Sequence, residues 1–153
     1  MAVAGNSVYS CEQWVGVDIE RTFAFFSNAA NLEAITPGFL RFRIVTPQPI
    51  EIREGALIEY RIRLFGAPVH WLTRIEEWQP GRSFTDVQVR GPYALWVHRH
   101  RFMPRGGGTL VEDHVEYRLP GAPLSAPVDS LFVRPTVERI FAHRRRAIER
   151  ILG

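Results

Sequence analysis

Trp96-Val97-His98-Arg99-His100-Arg101-Phe102 decides how the rest of the chain is read. Successive side chains of a strand point to opposite faces, so Trp96, His98, His100 and Phe102 share one face and Val97, Arg99 and Arg101 the other. An unpaired buried guanidinium is very costly, which turns these arginines to water and sends both imidazoles inward with the aromatic rings. Two histidines on a buried face either serve the structure or line a cavity that holds something.

Outward from this heptad the pattern is that of an antiparallel sheet. Gly91-Pro92 precedes it and Arg105-Gly106-Gly107-Gly108 follows, which delimits strands over 83–90, 94–103 and 109–119. Pairing Phe102 with Val111 across the glycine loop sets His100 beside Asp113, His98 beside Val115 and Trp96 beside Tyr117. Upstream, residues 57–65 place Ile58, Tyr60, Ile62 and Leu64 on one face and Glu59, Arg61 and Arg63 on the other. A turn at Gly66-Ala67 then pairs Leu64 with Val69, Ile62 with Trp71, Tyr60 with Thr73 and Ile58 with Ile75. Residues 7–17 and 41–46 supply two further strands. Asp18 is placed to cap a short helix over 20–27 that puts Phe23 and Phe26 on one side, and residues 31–35 form a second helical turn.

The chain closes in a helix whose inner stripe is Val137, Ile140, Phe141, Ile148 and Ile151. Arg144-Arg145-Arg146 reads as its solvated face. Residues 124–133 belong to the same helix, with Pro135 kinking or interrupting it. The expected class is α+β: a curved sheet of about six or seven antiparallel strands, apolar on one face, wrapped around a long C-terminal helix.

At 153 residues, 46% hydrophobic and 23% charged, residues 1–153 read as a single domain with a real core. The net charge of +3 comes with no basic run interleaved with stacking aromatics, so no nucleic-acid partner is expected. The single cysteine, Cys11, excludes an internal disulfide and reads as an inert packing thiol in a reducing, cytoplasmic setting. No apolar run approaches the ~18 residues that a membrane span needs, so no integral membrane association is expected. A monomer or a homodimer fits the length equally.

The order of elements and several motifs resemble the helix-grip superfamily of START-like and birch-pollen-allergen-like proteins, and within it the small bacterial polyketide cyclase/dehydrase-like members. The resemblance rests on Phe23-Ala24-Phe25-Phe26-Ser27-Asn28, Trp71-Leu72-Thr73-Arg74-Ile75-Glu76-Glu77-Trp78, Asp86-Val87-Gln88-Val89-Arg90-Gly91-Pro92-Tyr93, the histidine heptad and Asp113-His114-Val115-Glu116-Tyr117. It spans residues 7–152. It implies a hydrophobic cavity between sheet and helix, while leaving the reaction open because one scaffold hosts carriers, sensors, cyclases and regulators.

Asp113 sits between Val111 and Val115 on the apolar face of its strand, where a carboxylate needs a partner. His100 is the expected one, within hydrogen-bond reach, as a buried structural bond or as a ligand-anchoring or acid–base pair. Asp86 and Gln88 stay open between two arrangements: alternation alone leaves them in water, whereas an odd-length turn around Gly91-Pro92 brings Asp86 near His98. The family pattern favours the second. A His-x-His strand with Asp113 as third ligand suits metal chelation, yet the usual zinc companions are absent and no cofactor or metal is expected. The candidate ligand contacts are Tyr60, Trp71, Thr73, Asp86, Gln88, Trp96, His98, His100, Asp113 and Tyr117. Together they fit a small hydrophobic or aromatic molecule such as a lipid, polyketide or isoprenoid-like compound. The alternatives are a cyclase/dehydrase-like enzyme in which His100 and Asp113 move a proton and Tyr117 or His98 stabilises the enolate, and an interaction module with a filled interior.

Overall fold

A computed structural model describes residues 5–153. Seven strands run β1 (Ser7–Val15), β2 (Arg43–Ile44), β3 (Leu57–Leu64), β4 (Ala67–Gln79), β5 (Ser83–Arg90), β6 (Leu95–Arg105) and β7 (Gly108–Arg118). They form one antiparallel sheet in the spatial order β1-β7-β6-β5-β4-β3-β2. Strands β2 to β7 are thus a meander, and β1 comes back to cover the edge of β7.

Helices α1 (Ile19–Phe26) and α2 (Asn31–Ala34) follow β1. Asp18 caps α1 as expected, its carboxylate accepting the Arg21 amide at 2.9 Å. The buried hydroxyls of Thr22 and Thr109 both donate to the Val17 carbonyl, at 3.2 and 2.8 Å, which ties the start of α1 to β7. At the C-terminal end, α3 (Ala126–Val128), a π-helical turn over 129–133 and α4 (Arg134–Leu152) follow one another directly, with Pro135 in the first turn of α4. Proline is tolerated there because that amide has no intrahelical partner. The interruption expected at Pro135 therefore appears one turn earlier, as the widened segment, and Leu124 lies outside any helix and is exposed.

The β6–β7 register is the expected one: Phe102 faces Val111, His100 faces Asp113, His98 faces Val115 and Trp96 faces Tyr117. Gly106 and Gly107, both at positive φ, make a two-residue turn whose twist matches the strands. Gly108 is required by close approach, since a Cβ there would lie 2.2 Å from the Val15 carbonyl oxygen.

The β3–β4 hairpin differs. Its turn is Phe65-Gly66, with φ of 50° and 79°, so Ile62 faces Val69, Tyr60 faces Trp71 and Ile58 faces Thr73. The slip relative to the expected pairing is two residues, so every side chain stays on its expected face. Between β4 and β5 the register shifts twice, once between Leu72 and Thr73 and once between Ile75 and Glu77. The second shift inserts Glu76 as an extra residue, which lets Ile75 and Trp78 both point inward.

Two apolar clusters fill the space between sheet and α4. One joins Val15, Phe23, Phe26, Phe84, Phe102 and Val111 to Ala147 and Ile148. The other joins Val115 and Tyr117 to Val133, Val137 and Phe141. Ile151, expected in the inner stripe, is 47% exposed, and Leu152 packs in its place.

Candidate ligand-binding site

Between the two clusters the inner face of the sheet turns polar. β6 contributes His98 and His100, β5 contributes Asp86 opposite His98, and β7 contributes Asp113 opposite His100. The odd-length arrangement of the β5–β6 turn is the one adopted. The hydrogen bonds then cross the register. His98 Nε2 lies 2.7 Å from Asp113 Oδ1, while His100 Nε2 lies 2.6 Å from Asp86 Oδ2. The expected His100–Asp113 contact is present as a 3.3 Å ion pair through Nδ1, but its alignment is poor and Nδ1 is buried with no hydrogen-bond partner. The imidazoles overlap at 3.7 Å between centroids, and Phe84 stacks on the far side of His100 at 4.2 Å.

The residue that sequence reasoning missed is Arg144. It is 8% exposed, its Nη2 lies 3.3 Å from Asp113 Oδ1, and its guanidinium sits against the rings of Phe26 and Phe141. The solvated-face expectation holds for Arg145 and Arg146, which are exposed, and fails for Arg144. A signal was there. Val137, Phe141, Arg144 and Ile148 fall at i, i+4, i+7 and i+11, so Arg144 occupies the one gap in the inner stripe.

Burial alone would raise the pKa of Asp113, but Arg144 and the two imidazoles overcome it and hold the carboxyl well below the usual range. Asp86 is likewise lowered against its burial, by His98 and His100. Burial pulls both imidazoles down. In His98 it wins, helped by the neighbouring charge of His100, whereas in His100 the contacts to Asp113 and Asp86 outweigh it and the pKa rises. The two carboxylates and the Arg144 guanidinium thus meet at two imidazoles of unequal basicity, His100 holding a proton more readily than His98.

Two hollows meet on this cluster. One, about 140 Å³, is lined by Tyr60, Trp71 and Trp96 from the sheet, Tyr93 from the β5–β6 turn, Ile140 and Phe141 from α4, and Leu40 and Phe42 from the segment before β2. The other, about 80 Å³, is lined by Phe26, Leu32, Ile58, Thr73, Phe84 and His100 among others. Tyr60, Asp86, His98 and Arg144 line both. A larger hollow of about 460 Å³ lies among Ser10, Arg99, Arg101, Glu112 and His114 on the charged outer face, with Asp113 also in its lining.

Of the sequence candidates, Tyr60, Trp71, Thr73, Asp86, Trp96, His98 and His100 line one or both inner hollows. Three do not. Gln88 bonds both ways to the backbone of Tyr93 and closes the β5–β6 turn. Tyr117 is fully buried and donates to Asp129 Oδ1 at 2.7 Å, which removes it from an enolate-stabilising role. Asp113 lies behind the imidazoles and works through them. The polar tips of the aromatic wall satisfy one another, because the Thr73 hydroxyl lies 2.9 Å from the Tyr60 hydroxyl and accepts from Trp71 Nε1 at 3.0 Å.

A sheet gripping one helix, hollow on its inner face, is the expected helix-grip architecture. Residues 12–152 match the family described as polyketide cyclase / dehydrase and lipid transport. The chain belongs to that family. Members of this fold among solved structures are similar over almost their whole length. A protein of Chromobacterium violaceum is 12% identical, with 95% of this chain and 96% of that one covered at a TM-score of 0.72. Ginseng major latex-like protein 151 from Panax ginseng is 15% identical, with 97% and 99% covered at 0.70. A protein of Thermus thermophilus is 20% identical, with 94% and 95% covered at 0.67. No curated protein matches. Among the described residues no helix is long and apolar enough to cross a membrane.

Proposed function

We propose that the protein binds a small, uncharged, mostly aromatic molecule between sheet and α4, with the molecule's polar atom on His98, Tyr60 and Arg144. The observation that carries this reading is the meeting of an aromatic-walled hollow with a buried polar cluster that lines it. Size limits the ligand: a cavity of roughly 150 Å³ takes up benzene, and the larger compartment here is about 140 Å³. One ring fills it and a second fused ring reaches toward the adjoining hollow of about 80 Å³, whereas a long acyl chain does not fit without opening the grip. Charge limits it too. Asp86 and Asp113 already place two carboxylates at the cluster, so it gains from a carbonyl or hydroxyl and loses from a further buried carboxylate. The hollow also differs from the filled interior that an interaction module calls for.

Titration of the purified protein with 2-naphthol and with 2-naphthoate, followed by tryptophan fluorescence and calorimetry, tests this. The neutral phenol is expected to bind and the carboxylate to bind at least tenfold more weakly. Equal binding of both, or of neither, contradicts the reading. Native mass spectrometry of freshly purified protein adds the identity of any retained molecule.

One observation favours a second reading, an enzyme of the cyclase/dehydrase kind. The neutral, cavity-facing imidazole of His98 is held by Asp113, the arrangement a general base needs beside a carbonyl. His98, rather than His100, takes the catalytic part in that reading. His98→Gln then abolishes turnover while the naphthol affinity stays within a few-fold; loss of both together counts against it.

A further inference from the structure

We propose that Asp86, His98 and His100 form a binding site for one divalent first-row transition ion of the zinc or iron(II) kind. The ion would sit where β5 and β6 meet the two hollows. This goes beyond ligand binding in the cavity and does not depend on it.

The geometry is close to what coordination requires. One ligand atom from each of the three residues falls within 4.8 Å of the other two. Asp86 Oδ2 stands 2.6 Å from His100 Nε2 and 3.8 Å from His98 Nδ1. Around an ion with bonds of about 2.0–2.2 Å, neighbouring donor atoms stand roughly 3–3.5 Å apart. Asp86 Oδ2 is within about 1 Å of that spacing from each imidazole nitrogen, and the two rings, stacked at 3.7 Å between centroids, would turn apart for both lone pairs to reach one ion. Two imidazoles spaced i, i+2 on one strand project in parallel, and the carboxylate arrives from the facing strand.

The outer partners favour the same arrangement. Metal-bound imidazoles usually donate their second nitrogen to a carboxylate. His98 uses Nε2 toward Asp113, which leaves Nδ1 facing Asp86. His100 coordinating through Nε2 carries its proton on Nδ1, the buried nitrogen that now lacks an aligned partner and lies 3.3 Å from Asp113 Oδ1. A single carboxylate would thus orient both rings. Asp113 is itself held by Arg144 at 3.3 Å, so it stays an outer partner and Asp86 is the anionic ligand. Two nitrogen donors and one oxygen select borderline ions over magnesium or calcium. Asp86 and His98 line both hollows, so the remaining coordination positions open toward the cavity.

The test uses the full chain after chelator treatment, titrated with cobalt(II) chloride and followed by visible absorption, with zinc chloride as competitor and magnesium chloride as control. One cobalt per chain, absorption bands of a nitrogen-coordinated ion, displacement by zinc and indifference to magnesium are expected. Asp86→Asn and His98→Gln each weaken binding at least tenfold, and Asp113→Asn weakens it about 10–100-fold. Circular dichroism checks each variant for folding, and should one fail to fold, the other first-coordination variant decides. The triple change His70→Gln, His114→Gln, His143→Gln leaves binding intact. Folded protein that takes up no cobalt, or uptake abolished by the triple change and not by Asp86→Asn or His98→Gln, overturns the proposal. Naphthol titration of the metal-free protein reports on the cavity reading separately, so either idea can fail alone.

Discussion

The two ends of α4 face the same sheet and have opposite interiors. At the Ile148 end, Phe23 reaches in from α1 to lie 5.2–6.0 Å from the rings of Trp78, Phe84 and Phe102, and Phe26 packs beside them. At the Val137 end no such helix intervenes, and Trp71, Tyr93 and Trp96 face Ile140 and Phe141 across open space. The difference comes from connectivity: the helices inserted after β1 plug one end only. One end of the grip then holds the fold together, while the other keeps an aromatic chamber. Arg144, Asp113, His98, His100 and Asp86 form the floor between them.

Substitutions can break that contrast. The largest effect is expected at the plugged end, where Phe102→Ala costs about 3–5 kcal/mol because the surrounding rings cannot collapse into the space. Chemical denaturation measures it, and naphthol affinity under native conditions should stay within a few-fold. Asp113→Ala is comparable or slightly smaller, about 3–4 kcal/mol, because it leaves Arg144 buried without its counter-charge. Arg144→Met in the Asp113→Ala background should recover part of that loss, with a coupling of roughly 0.5–3 kcal/mol; additive effects would mean that the two side chains do not act as a unit. At the chamber end Ile140→Ala should cost only about 1 kcal/mol, since that side chain is half-buried beside space already empty. It should also admit a larger ring system, and anthracenol binding compared with the parent measures this.

The smallest effect concerns Cys11, whose thiol is pushed up to about 11 by burial and by the nearby Asp113 carboxylate. Raised this far, it is protonated at neutral pH. Alkylation of the native protein should be slow at pH 8 and climb about tenfold per pH unit toward pH 11. In denaturant the thiol should show ordinary reactivity. Fast labelling of native protein at pH 8 would mean that β1 is less firmly seated than the core it covers.

Legibility followed the same division. The β6–β7 register could be read because Gly106-Gly107 admits one tight turn and the Val111-Asp113-Val115 alternation leaves one consistent pairing. The β3–β4 register could not, because turns at Phe65-Gly66 and at Gly66-Ala67 both keep apolar residues on one face, and a slip of two is invisible to a period of two. His98, His100 and Asp113 were identifiable as a group from faces and strand order, whereas Asp86 joined them only through the family pattern around Gly91-Pro92, since alternation alone left it in water. Which imidazole bonds which carboxylate was not identifiable, since the bonds run diagonally and depend on how the stacked rings lean. Arg144 was hidden by its neighbours. A run of three arginines reads as solvent-facing, and only the helical gap between Phe141 and Ile148 marks the first of them as different.

The extra residue at Glu76 acts as a frame shift written in side-chain direction rather than in codons. Upstream of it, odd-numbered residues of β4 such as Trp71, Thr73 and Ile75 look into the grip; downstream, the even-numbered Trp78 does. Deleting that one position would preserve almost every residue of β4, yet it would bring the wrong parity to one half of the strand. Either the chamber wall or the Phe23 plug would lose its tryptophan. Length in this strand is therefore under tighter constraint than identity at Glu76, whose own side chain is exposed and makes only a surface pair with Arg74.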